Sequence, residues 1–188
     1  FVSHYPDETA RKEMPFYMEM KNRDPRLTQS IIYPGYIRIG TTTTANSDFA
    51  ENRTGYQITK RIGPPIEDQG GDTRDAIMIR YAEMLLNYAE ARAVLGQLTQ
   101  EDLDKTINLI RKRVGLSSRT LPLQTDNIQR EMYKSTTDPN VLEIRRERRI
   151  ELAFEGFRKD DIIRWAEGHL FRATYKGIYI KSLRTLID

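Results

Sequence analysis

The sequence predicts a mainly α fold in which helix hairpins pack against a loop-rich region with a few short strands. Three observations predict it. Apolar residues recur at helical spacing from Thr73 onward. Cap residues and glycines divide that stretch into helices joined by short connections. The residues before it carry turn dipeptides and short β-branched runs instead. Hydrophobic residues make up 38% of the 188 and charged residues 30%, the balance of helices with charged outer faces. We expect residues 1–72 to form a loop-rich, ligand-facing segment and residues 73–188 a helical scaffold, both within one larger domain.

In the first segment, "NRDPRL" (22–27) and "YPGY" (33–36) read as turns. "SIIY", "IRIG" and "GYQITKRI" have the composition of short strands, and "TTTTANSDFAENRTG" (41–55) reads as a polar loop. "PPIEDQGGD" (64–72) is a second loop. "TRDAIMIRYAEMLLNYAEARAVLG" then carries two stripes at helical spacing. One is Tyr81, Leu85, Tyr88 and Leu95, interrupted by Arg92; the other is Met78, Ala82, Leu86, Ala89 and Ala93, whose alanines allow close helix approach. Gly96 ends the helix.

In "LTQEDLDKTINLIRKRVGL", Thr99 and Asp102 fit a capping box and Leu98 and Leu103 a hydrophobic staple. Leu103, Ile107, Ile110 and Val114 form the buried stripe, and Gly115 stops the helix. The short connection makes the two helices an antiparallel hairpin. After a polar linker (116–137), Asp138 and Pro139 supply an N-cap and first-turn proline, and Gly156 closes the helix they start. "RKDDIIRWAEG" (158–168) is a further short helix, and "GIYIKSL" a strand. By register, Tyr81, Tyr88 and Trp165 belong to the core. "INLIRK" at 107 aligns with "VLEIRR" at 141 at about the ~34-residue tetratricopeptide period, but Val114 against Arg148 breaks the match, so the likeness is one of packing.

Between Val141 and Glu155 the chain holds four arginines and four glutamates. Glu143, Glu147, Glu151 and Glu155 follow one another at four-residue steps, opposite Arg145, Arg146, Arg148 and Arg149. Apolar residues surround the whole circumference, which is the pattern of an enclosed helix. Enclosed charges need opposite charge from neighbours. Arg80, Arg111 and Arg113 are candidates for the glutamates; Glu83, Glu90 and Asp161 for the arginines. The charge is thus read as a structural network.

Other chemistries fit less well. A di-metal carboxylate site needs Glu-x-x-His, and neither His4 nor His169 lies three after a glutamate, so no metal is expected. Thirty basic and 27 acidic residues, closely interleaved, cancel the field that nucleic acid requires. Asp160 and Asp161 are adjacent on a helix and cannot straddle a glycosidic bond. No cysteine is present, and no run approaches the ~20 apolar residues of a membrane span. Neither a catalytic set nor a cofactor motif is recognised.

"RYAEMLLNYAEA" (80–91), "INLIRKRVGL" (107–116) and "IRRERRIELAFEGFRKDDIIRW" (144–165) closely resemble three blocks of the SusD/RagB family. "NRDPRL" with "IIYPG", and "TGYQITKRI", resemble two upstream blocks, so nearly the whole chain is covered in order. Phe157 departs from a position that is often histidine, and Lys159 and Asp160 stand where aromatics are common. The resemblance implies a tetratricopeptide-like helical scaffold with ligand-carrying loops. It implies a surface glycan-binding lipoprotein, without catalysis or cofactor, that hands oligosaccharide to a SusC-like TonB-dependent outer-membrane transporter. On that reading the chain is an internal piece, proteolysed or deliberately cut. The lipidated N-terminal cysteine and early helix pairs would precede it, and the family's C-terminal segment would follow "LRTLID". The whole protein would sit at the cell surface on the outer membrane; the fragment itself would be soluble.

Aromatic faces stack on pyranose rings while polar groups bond the hydroxyls. The candidate ligand residues are therefore Tyr5, Phe16, Tyr17, Tyr33 and Tyr36, with Arg38 and Asn46 nearby. Packing of these aromatics onto the scaffold is the competing reading. Two other functions compete with glycan capture: a tetratricopeptide-like scaffold gripping peptides on its helical face, and a polysaccharide-acting enzyme.

Overall fold

The computed structural model describes residues 14–69, 75–174 and 176–179. Its helices are α1 (Phe16–Glu19), α2 (Pro25–Thr28), α3 (Tyr81–Val94), α4 (Gln100–Lys105), α5 (Ile107–Arg113), α6 (Asn127–Met132), α7 (Pro139–Glu151) and α8 (Arg158–Arg164). Short 3₁₀ turns lie at Pro65–Gln69 and Gly168–Arg172. The fold is mainly α, with no sheet among the described residues. The chain divides into two compact units, Phe1–Arg74 with Thr174–Asp188, and Asp75–Ala173.

In the second unit, α3 begins at Tyr81, later than its apolar stripe suggested. Arg80 is its N-cap, in extended conformation, and β-branched Ile77 and Ile79 favour extended backbone in the residues before it. Ala82, Leu86, Ala89 and Ala93 are buried and face α7. The other stripe turns outward: Tyr81 is 71% and Tyr88 49% exposed, so of the three aromatics placed in the core only Trp165 belongs there. Gly96, at φ +67°, ends α3 in a Schellman turn, with Gln97 N–H donating to Arg92 O and Gly96 N–H to Ala93 O.

Thr99 and Asp102 form the capping box of α4, and Leu98 packs on the cluster that contains Leu103. The single helix expected over 99–115 is broken at Thr106 (φ −124°, ψ −92°), whose hydroxyl donates to Asp102 O at 2.5 Å. α5 then continues to a second Schellman turn at Gly115. The linker contains α6, which Asp126 caps by accepting from Gln129 N–H at 2.8 Å. Asp138 caps α7 and Pro139 is its first residue. α7 ends at Glu151, short of Gly156, because Phe154 (φ +63°) and Gly156 (φ +90°) build a turn. α8 ends with Ala166 in the left-handed region (φ +57°).

The charges of α7 are largely internal. Glu143 accepts from Arg146 and pairs with Arg119 at 2.9 Å. Glu147, completely buried, accepts from Arg111 and Arg146. Glu151 accepts from Arg80 at 3.0 Å and from Arg113 at 2.8 Å. Arg80 also grips Glu155 in a fork of two 2.7 Å bonds. On the opposite side, Arg148 bonds Asp161 at 2.9 Å and Asn87 at 2.7 Å. Arg145 donates to Ser135 Oγ at 2.9 Å, lies 3.7 Å from Glu167 and covers the Trp165 ring at 4.8 Å. Glu90 receives Arg164 and the Trp165 indole N–H, leaving no bond to an α7 arginine. Glu83 and Arg149, expected in this network, enter no ion pair among the described residues.

The first unit is loop-rich. Asp24 caps α2 by accepting from Arg26 N–H, and the buried Arg26 guanidinium returns to the same carboxylate at 2.9 and 2.6 Å, so "DPRL" forms a one-turn helix instead of a plain turn. The strand-like segments meet as single bridges, Ile31 with Ile58 and Ile37 with Thr44 antiparallel, Pro15 with Tyr179 parallel. Residues 180–183 of the expected "GIYIKSL" strand lie outside the described residues. Ile178 N–H donates to Thr54 O at 2.9 Å, and a Cβ on Gly55 would lie 2.6 Å from the Ile178 side chain.

Glu147→Ala strands the buried Arg111 guanidinium and should cost about 3–5 kcal/mol in urea denaturation. The buried single tryptophan, Trp165, reports the transition. Glu101→Ala, in the exposed pair with Lys105, should leave the midpoint unchanged. Asp102 supplies a pH test. Thr99 N–H, the Tyr88 hydroxyl, the Thr99 hydroxyl and Arg92 hold its carboxyl well below the usual range, against the opposing effect of burial. A depressed folded pKa stabilises fully above the unfolded value, and that contribution is lost as pH falls through the folded one. The stability difference between wild type and Asp102→Ala should therefore be constant above about pH 5 and shrink below about pH 4.

Candidate functional site

Of the described candidate ligand residues, Phe16 and Tyr17 lie on α1, and Tyr33, Tyr36, Arg38 and Asn46 lie on the loops of the first unit. In Tyr33-Pro34-Gly35-Tyr36, proline fixes the first corner and Gly35 takes φ +86°, which an L side chain resists. Tyr36 N–H donates to Tyr33 O at 2.9 Å and closes the turn. The closure brings the two phenol rings edge to face, with centroids 5.9 Å apart. Ala45 N–H bonds Tyr36 O at 2.8 Å, and the Ile37–Thr44 bridge follows, so the far side of the loop is tied to the pair. Asn46 is exposed at the end of that tie.

Arg38 has a different place. Its Nε donates to Gly63 O at 2.7 Å, and its two terminal nitrogens hold Asp68 at 2.6 and 2.7 Å. The hydrogen bonds to Asp68 raise its pKa. The guanidinium is a clasp between two loops. Phe16, half-buried, packs edge to face on Tyr56 at 5.9 Å. Tyr17 is exposed, with the Lys21 ammonium 5.3 Å from its ring centroid. Tyr5 lies outside the described residues.

Tyr56 was not among the sequence candidates. Its hydroxyl donates to Glu19 at 2.7 Å, and burial, then the Glu19 carboxylate, push its pKa far up. The signal was present in the aromatic of "TGYQITKRI". The structure thus pairs Tyr33 with Tyr36 and Phe16 with Tyr56, and diverts Arg38 to a structural bond.

Chemically, the Tyr33–Tyr36 turn offers apolar ring faces with two hydroxyls, suited to flat polar rings. Among the described residues no group of three or more His, Cys, Asp or Glu side chains could hold a metal ion. His169 faces Met132 O at 3.0 Å and Glu167 at 3.5 Å. No described helix is long and apolar enough to cross a membrane.

No curated protein and no solved structure matched the chain. The sequence model of the SusD family matches residues 2–183, almost the full length, and the chain belongs to that family.

Proposed function

We propose that this chain captures oligosaccharide at the cell surface and contributes to its delivery to a SusC-like TonB-dependent transporter. SusD family membership implies a general role in carbohydrate-binding nutrient uptake, and family proteins are outer-membrane-associated lipoproteins known as binding proteins rather than enzymes. The finer reading concerns where this chain holds sugar. The observation that carries it is the Tyr33–Tyr36 pair, two rings fixed by a closed turn in the loop-rich unit. Preorganised rings lose little freedom on binding, which is what a weak sugar–aromatic stack needs. Tyr17 and Asn46, both exposed, supply further stacking and hydroxyl-bonding capacity.

A glycan array followed by affinity gels tests the proposal. Tyr33→Ala and Tyr36→Ala should each weaken retention about tenfold, corresponding to ~1.4 kcal/mol. Tyr81→Ala on α3 should leave it unchanged. Loss of binding with Tyr81→Ala alone, or binding of peptides and no glycan, would favour the helical-groove reading. New reducing ends on incubation with polysaccharide would favour an enzyme.

A further inference from the structure

The turn between α7 and α8 borders a cleft of about 340 Å³ whose charges do not balance. Its lining includes Arg148, Arg149, Phe154, Phe157, Arg158 and Asp161, three guanidinium groups to one carboxylate. That carboxylate is already committed: Asp161 accepts from Arg148 at 2.9 Å and from Arg164 at 2.8 Å. Arg149 and Arg158 have no carboxylate partner among the described residues. Arg149 donates to the Met132 sulfur, a weak acceptor, at 2.8 Å. Arg158 donates to the Tyr133 hydroxyl at 3.1 Å and lies 5.8 Å from that ring's centroid. Each guanidinium has five N–H donors, so most remain available.

The contrast with the rest of α7 gives this weight. Arg146 and Arg148 on the same helix meet carboxylates, as do the arginines that reach α7's glutamates. At Arg149 burial pushes the pKa down; Tyr133 and Asp126 oppose this, while the neighbouring Arg158 and Arg146 charges add to it. Two half-buried cations that repel each other are stable when an anion joins them. Phe154, 53% exposed and held by its left-handed backbone at the same turn, adds an apolar ring face. A cleft of this size, with one aromatic wall and two forked donors, suits a single sugar ring bearing an acidic group.

We propose that Arg149 and Arg158 form a binding site for the carboxylate or sulfate of an acidic sugar, separate from the tyrosine turn. The inference rests on the carbohydrate-binding reading for its ligand class and on the unbalanced arginines for its charge.

Calorimetric titration of the protein with trigalacturonate, a sulfated disaccharide and neutral maltotriose tests it. At least one acidic probe should bind, with affinity falling as salt rises; which one binds identifies the acidic group. Arg149→Gln and Arg158→Gln should each weaken that binding about tenfold or more, Arg149→Lys less than Arg149→Gln. Tyr33→Ala should not affect it. The unfolding midpoint of Arg149→Gln should match or exceed wild type, since a repelling cation is removed, and this separates lost binding from lost fold. Failure of both acidic probes to bind, or acidic binding unchanged in the two Gln variants, overturns the proposal. In that case binding of neutral glycan through Tyr33 and Tyr36 would leave the proposed function standing, whereas no glycan binding of any kind would remove both.

Discussion

The helical unit is organised by buried carboxylates that guanidinium groups neutralise. Glu147 and Glu151, on successive turns of α7, are almost wholly enclosed, and the donors reaching them include Arg111 and Arg113 of α5 and Arg80 at the start of α3. Apolar packing alone would tolerate sliding of one helix along another by a residue, about 1.5 Å. A guanidinium that must meet a carboxylate within hydrogen-bond distance does not tolerate it. The alanine face of α3 brings the backbone close, and the ion pairs then set its register. Intact pairs of this kind add little net stability, because desolvation offsets most of the attraction. Their effect is to make every other docking arrangement costly.

The same logic extends through α8. Trp165 sits with the guanidiniums of Arg145 and Arg164 at 4.8 and 4.9 Å from its ring centroid, while its N–H meets Glu90 at 2.5 Å. Burial alone would raise the Glu167 carboxyl, but Lys134 N–H, the Ser135 hydroxyl and Ser135 N–H hold it low. That single carboxylate fastens the segment after α6 to the end of α8. The rigid element is therefore a set of charges satisfied by geometry, and Arg149 and Arg158 stand out because no carboxylate pairs with them among the described residues.

What the sequence made legible were features with local causes. Glutamates at four-residue steps, Asp138-Pro139, the Thr99–Asp102 box and the glycines after α3 and α5 each act within a turn or two of the chain. Features decided elsewhere were not legible. Residues 75–80 have helical apolar spacing yet lie outside the helix, and Arg80, in extended conformation, is held by Glu151 and Glu155, more than seventy residues away. Tyr88 fits a buried stripe, but its hydroxyl is needed at Asp102, at the hairpin's edge. Phe154 and Ala166 end or follow helices in a conformation that glycine usually supplies, so no composition rule marks them. α6 was the avoidable omission, since Asp126 three residues before Gln129 is a cap signature. In the candidate ligand site the tyrosine turn was readable from Pro34-Gly35, whereas the fate of Arg38 depended on Asp68, thirty residues on.

The commitment of Arg38 also limits what the loops can recognise. A sugar hydroxyl drawing on that guanidinium would have to compete with a two-bond grip on Asp68 and a third bond to Gly63 O. An exchange of charged partner for neutral one is unfavourable, since charge-assisted bonds are roughly twice as strong as neutral ones. On the proposed reading, recognition at the turn would fall to ring faces and phenol hydroxyls, which discriminate ring shape and hydroxyl pattern but carry no charge of their own. Selectivity for an acidic sugar would call for cations that no carboxylate already holds, as at Arg149 and Arg158 among the described residues.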